Sequence, residues 1–173
     1  RWSKKLLKAA VAEGWAKDIA RDAKWAVHYQ IQTGASASAL KLAQSAAGRV
    51  SQAHSALPDL QLLVARAGIA AGQSAIAAEA AKSARAGFEA ATRAKGAARA
   101  SWRAGQAAYG LGRIEDVQTA ADQVEGARKA VLQALVAQLK GQMKTADSLF
   151  PTTGLKHADA AYAYQLAAQT RAS

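Results

Sequence analysis

Alanine supplies most of the apolar content of this chain, and that feature narrows the folds open to it more than any motif does. Hydrophobic residues make up 51% of the sequence, aromatic residues only 6%. Alanine is the strongest helix former and buries little surface, so helices form readily but each carries a thin apolar stripe. At 173 residues the chain is long enough for one domain. The expectation is an all-α protein: an elongated helical hairpin or bundle of about five helices, with coiled-coil-like packing and no β-sheet. Stripes this thin also predict rods that complete their burial against other chains.

Glycine and proline divide the chain. Pro58 and Pro151 each follow a segment ending in a large apolar residue and read as helix punctuation. Thr33-Gly34 marks a third boundary. Gly110-Leu111-Gly112 marks a fourth, where two glycines within three residues favour a tight reversal. Segment 3–32 places Leu7, Val11, Trp15 and Ile19 at steps of four, with Trp25 and Tyr29 further on and Lys4, Lys5 and Lys8 around its start. Asp18 and Asp22 intrude on the same side. In 36–57, Leu40, Ala43, Ala47, Val50, His54 and Leu57 follow the alternating spacing of a packed seam.

From Asp59 to Tyr109 the pattern predicts one helix of some fifty residues, on the order of 75 Å if unbroken. Leu62, Ile69, Ile76, Phe88, Trp102 and Tyr109 lie along one side, with Lys82, Arg85, Glu89, Arg93, Arg99 and Arg103 mainly beside and opposite them. Arg66-Ala67-Gly68, Arg85-Ala86-Gly87 and Arg103-Ala104-Gly105 form an internal echo after 19 and 18 residues. Gly68 and Gly72 make a GxxxG pattern that admits close helix approach, while Gly87 and Gly96 are candidate kinks. Beyond the glycine turn, Ile114, Val117, Ala121, Val124, Arg128, Val131, Leu135 and Gln138 keep heptad spacing, and Glu125 stands at ion-pair spacing from Arg128 and Lys129. The organisation expected is therefore 1–57, two basic, tryptophan-containing helices; 58–147, a long antiparallel helical hairpin with its turn at 110–112; and 148–173, a loop and a short helix.

The formal charge is +11, from 23 basic and 12 acidic residues, and the surplus is N-terminal, with nine basic against three acidic groups in residues 1–57. Such an excess favours an anionic partner: nucleic acid, phospholipid or an acidic protein surface. The tryptophans and lysines of the first segment suit an anionic membrane surface as well as anchorage to neighbouring helices. No stretch reaches the ~20 apolar residues of a membrane span, so any membrane contact is peripheral. Absence of cysteine removes disulfides, thiolate metal sites and a cysteine nucleophile. The start at Arg1 reads as a processed or partial chain, and no localisation follows from it.

Catalytic constellations are incomplete. Gly110-Leu111-Gly112-Arg113-Ile114-Glu115 begins like a dinucleotide fingerprint, but Glu115 stands where the third glycine belongs and no strand precedes it. His28, His54 and His157 are far apart and none has a ligand partner one turn away. His54, in a seam, reads as a packed and hydrogen-bonded side chain. Asp18 with Asp22, and Glu115 with Asp116 at a helix start, read as surface electrostatics. The sequence predicts no enzyme activity, cofactor, metal or small-molecule substrate.

Residues 107–135 resemble, without gaps, the turn and returning helix of the TolC-type outer-membrane efflux family, at Gly110-Leu111-Gly112, Asp116-Val117, Ala120, Ala127-Arg128 and Ala134. The likeness covers about a sixth of the chain and implies the geometry of a coiled hairpin. That family is far longer and closes a barrel with strands that have no counterpart here, so its export function is not carried over. The function expected is that of a non-enzymatic structural or interaction subunit of a larger protein assembly, docking through Trp2, Trp15, Trp25, Leu62, Ile69, Ile76, Phe88, Trp102 and Tyr109. The alternative is a sequence-independent binder of nucleic acid, for example within a virion or nucleoid, or of an anionic membrane surface. Lys82, Arg85, Arg93, Arg99 and Arg103 would grip it.

Overall fold

The computed structural model describes residues 4–52, 54–155 and 157–172, with side chains placed between 14 and 170 apart from 53 and 156–158. The described residues are all-helical, with no strand. Nine helices follow in order: α1 (Lys4–Gln32), α2 (Ser36–Gly48), α3 (Leu57–Ala70), α4 (Ser74–Ala90), α5 (Ala94–Gly110), α6 (Ile114–Asp122), α7 (Gly126–Leu139), α8 (Met143–Leu149) and α9 (His157–Ala172).

The count exceeds five because neither half of the expected long hairpin is continuous. Residues 59–109 form α3, α4 and α5, and 114–147 form α6, α7 and α8. Five helices end in the same backbone device, a residue in the left-handed region: Gly34 (φ 81), Gly72 (φ 69), Thr92 (φ 54), Gly112 (φ 69) and Gly141 (φ 73). At Gly72 the N–H donates to the Ile69 carbonyl (3.1 Å) and the next N–H, of Gln73, donates to the Gly68 carbonyl (2.8 Å). The same pair of bonds closes the other four ends, satisfying carbonyls that a helix terminus would leave bare. One residue later a new helix starts.

Four of these turns are hairpin tips, joining α1–α2, α3–α4, α5–α6 and α7–α8. Five residues beyond each glycine stands a side chain with no exposure at all: Ala39, Ala77, Val117 and Ala146. This is the structural repeat. The Arg-Ala-Gly echo is not, since its glycines meet different neighbours: Gly68 faces Ala77, Gly87 faces Pro58, and Gly105 faces Leu132 and Ala120. The GxxxG pair is likewise divided, Gly68 serving a helix contact and Gly72 a helix stop.

Each helix packs on the next, and α1 also packs on α3, α3 on α5 and α5 on α7. Odd-numbered helices, which pack on one another, therefore form one layer, the inner layer, and even-numbered helices flank it as the outer layer, the plan of an α-solenoid. The last helix, α9, lies beside α7 in the odd layer. Near the start of α7, Arg128 meets Asp159, and near its end Gln138 donates to the Thr170 hydroxyl.

The alanine stripes are consumed inside this stack. Ala39, Ala43, Ala65, Ala67, Ala81, Ala84, Ala100, Ala121 and Ala134 are fully buried, where short side chains let helix axes approach closely. One apolar cluster runs from Ala16 to Ala81, another from Trp102 to Leu166, with Phe88, Ala84 and Ala100 between them. The first cluster passes straight through residue 57, so the division expected there is not a break in packing. The heptad positions Val117, Val124, Val131 and Leu135 do share one core. They reach it from two helices separated by Glu125 in extended backbone (φ −123, ψ 169) and Gly126 in the left-handed region. The returning helix implied by the TolC-type likeness is therefore two helices.

Candidate functional site

Three inner-layer helices each turn one stripe toward a common groove, and a fourth adds one residue. On α3 the stripe is Asp59, Leu62, Leu63 and Arg66, on α5 Arg99, Trp102 and Arg103, and on α1 Ala20 and Lys24; these are helical spacings of three and four. Arg128, in the first turn of α7, closes the far side. The groove encloses about 330 Å³. Its floor is apolar at Leu62, Leu63 and Trp102, and its walls are cationic.

At one end a carboxylate is bound by the protein itself. Asp159, in the first turn of α9, has a side chain only 7% exposed. Its Oδ1 accepts from the Trp102 indole N–H (3.0 Å) and from Arg103 Nη2 (3.3 Å). Its Oδ2 accepts from Arg128 Nε (3.1 Å) and Nη2 (2.7 Å). Tyr162, one turn on, stands edge-on to the Trp102 ring at 6.1 Å, and the Arg128 guanidinium lies 5.8 Å from its centre. Burial alone would raise the Asp159 pKa, but Arg103, Arg128 and the indole bond outweigh it and hold the carboxyl below its ordinary value. Burial acts on Arg103 in the opposite direction, pulling its pKa down to about 10, a value at which it still carries its charge at neutral pH.

The remaining cations are not neutralised in this way. Arg66, lowered in pKa by burial, donates from Nη2 to His28 Nδ1 (2.9 Å), an acceptor that brings no negative charge, so its positive charge stays in the groove. Among the described residues Lys24 and Arg99 have no carboxylate partner. The groove's other acid, Asp59, is held by Arg93 through two bonds of 2.8 and 3.2 Å. Lys24, Arg66 and Arg99 thus form a positive wall with no carboxylate bonded to it, Asp159 acting on Arg66 only through space, around an apolar floor. Among the described residues there is no cluster of metal-binding side chains.

The residues singled out from sequence are dispersed by the fold. Lys82 is exposed on α4, in the outer layer; Arg85 pairs with Glu89 there (2.7 Å), and Arg93 is tied to Asp59 and lies over the Phe88 ring at 4.8 Å. Of that expected stripe only Arg99 and Arg103 reach the groove. Phe88 and Trp102 are 1% exposed and belong to the core, so they offer no docking face. Leu62 lines the groove; Ile69 and Tyr109 are half-buried; Ile76 is exposed. Trp15 and Trp25, with Tyr29, are exposed on α1 and do not anchor it. Trp2 lies outside the described residues. Arg128 pairs with Asp159, not with Glu125. His54 Nδ1 accepts the Ala56 N–H (3.0 Å), while its Nε2 is buried without a partner.

Lys24, Arg66, Arg128 and Asp159 were missing from the expected site. One signal pointed to them: a charge at a core position of the heptad series, Arg128, calls for a buried counter-charge. Comparison with family models, curated proteins and solved structures finds no match for this chain. No described helix is long and apolar enough to cross a membrane.

Proposed function

We propose that this chain is a non-enzymatic interaction subunit that holds an acidic segment of a partner protein in its inner-layer groove. The observation that carries the reading is the trio Lys24, Arg66 and Arg99, none of them bonded to a carboxylate, around half-buried Leu62, with Leu63 and Trp102 buried beneath. A site that combines charge and apolar surface suits a peptide bearing carboxylates among apolar side chains, and about 330 Å³ accommodates one or two such side chains. A nucleic acid backbone calls for phosphate contacts repeated along an open surface. Here Lys82 and Arg85 lie on α4, outside the groove, and Arg93 at its edge is tied to Asp59.

The test is fluorescence anisotropy with a labelled, end-blocked tetraglutamate peptide at low salt, set beside a tetralysine peptide and a short oligothymidine. The acidic peptide should saturate the protein and weaken as salt rises. Arg66→Ala and Arg99→Ala should each cost roughly tenfold in affinity, about 1.4 kcal/mol, while Arg113→Ala on the α5–α6 turn should change nothing. Oligothymidine binding that ignores Arg66→Ala, or peptide binding equal in all variants, would contradict the groove reading.

A further inference from the structure

Behind the groove's lining residues Trp102, Arg103 and Arg128 a carboxylate is already bound, and it comes from the chain's own last helix. Asp159 is 31 residues from Arg128 and 56 from Arg103 in sequence, so the contact joins α9 to α7 and α5 across the inner layer. Four donors converge on its two oxygens. That geometry is what a partner's carboxylate would require, and all three donor residues, Trp102, Arg103 and Arg128, line the open groove.

We propose that Asp159 is an internal stand-in for the partner's acid, a carboxylate bound to two of the groove's arginines that an acidic partner displaces in order to engage Arg103 and Arg128 along with Lys24, Arg66 and Arg99. This rests on the groove being the acidic-partner site. Regulation follows: with Asp159 in place only part of the cationic wall is available, and an incoming acid competes with a neighbour present at high effective concentration. Release does not require α9 to detach. Ala163, Leu166 and Thr170, further along the helix, are buried, and Gln138 of α7 bonds to the Leu166 carbonyl and the Thr170 hydroxyl. Asp159 lies one turn earlier, in the first turn, where a change of side-chain rotamer withdraws the carboxylate while the rest of the helix stays docked. The alternative is that Asp159 only positions the two arginines for a ligand bound beside them.

These two roles give opposite signs. Removing a negative charge in contact with the binding arginines should tighten acid binding at least about fivefold, whereas removing a positioning residue should weaken it. Tetraglutamate affinity is measured for the wild-type chain, for Asp159→Asn and for Glu115→Gln, an exposed acid on α6 used as a control. Tighter binding by Asp159→Asn alone supports the proposal, including the case in which only that variant binds. Equal or weaker binding by a folded Asp159→Asn overturns the proposal and leaves the groove reading standing, and no binding by any variant removes both. Should Asp159→Asn fail to fold, the wild-type chain decides. The Trp102 indole N–H resonance, assigned through Trp102→Phe, should shift as tetraglutamate saturates, because its acceptor leaves. Saturation with that resonance unmoved overturns displacement.

Discussion

Adding one methyl group at Gly105 tests the packing of α5 against α6 and α7. A Cβ there would lie 2.7 and 2.8 Å from the two Leu132 methyls and 3.0 Å from the Ala120 Cβ. The first two are closer than carbon atoms tolerate, and the third is tighter than ordinary van der Waals contact. Leu132 is itself fully buried in one cluster with Val131 and Leu135. Overpacking a tight core typically costs about 1–3 kcal/mol, and this site belongs toward the upper end. Alanine in a helix interior returns up to about 1 kcal/mol relative to glycine. The net expectation for Gly105→Ala is a loss of about 1–2 kcal/mol, equivalent to roughly 2–8 °C in Tm for a chain of this size. Gly14→Ala is the matched control, because nothing lies within 4 Å of its added methyl. It should leave Tm unchanged or raise it slightly. Both are read from thermal melts followed by far-ultraviolet circular dichroism. A Gly105→Ala protein that melts at or above the wild type would refute the close approach of these three helices.

Three other outcomes follow from the same coordinates. Trp102→Ala, which empties a fully enclosed site and removes the indole bond to Asp159, should cost about 3–5 kcal/mol in urea unfolding; Trp25→Ala, at 71% exposure, should stay within about 0.5 kcal/mol. Thr92→Gly should stabilise by up to about 1 kcal/mol, since the native φ of 54 is disfavoured for a β-branched residue and free for glycine; a lower midpoint would count against that strain. Acid should destabilise the chain through Asp159. Its folded pKa is depressed, so its stabilisation is complete above the unfolded carboxylate value near 4 and is lost as pH falls through the lower folded value. Asp159→Asn should flatten the pH dependence in that window and lower stability at neutral pH, and an unchanged acid profile would exclude the linkage.

Fold class was legible because alanine and the spacing of apolar residues both specify helix, and the boundaries at Gly34, Pro58 and Gly112 were readable from turn chemistry. Four breaks, at Gly72, Thr92, Glu125 and Gly141, were hidden, the first two for local reasons. Gly72 sits four residues after Gly68, and that spacing reads equally well as a packing motif. Thr92 adopts the left-handed conformation without being glycine or asparagine, so no local residue preference marks it. The heptad series across 114–138 ran through the break at Glu125 because α6 and α7 turn their apolar faces toward one core. Arg99 and Arg103 were legible as a cationic pair at i,i+4, but the groove they line is assembled from four helices whose contributions span residues 20 to 128. No pattern along a single helix brings Lys24, Arg66 and Arg128 together. Phe88 and Trp102 show the complementary limit: a large apolar residue on a helical stripe looks the same whether it faces a partner or the protein's own interior.

The most direct test of the central claim is to follow the arginine Nε–Hε resonances of the whole chain while tetraglutamate is titrated in. Lodging of the acidic segment in the inner layer predicts that Arg66, Arg99, Arg103 and Arg128 shift together and saturably, with Arg85 and Arg113 unmoved. Shifts concentrated on Arg85 and Arg113, or spread evenly over all arginines, would contradict it.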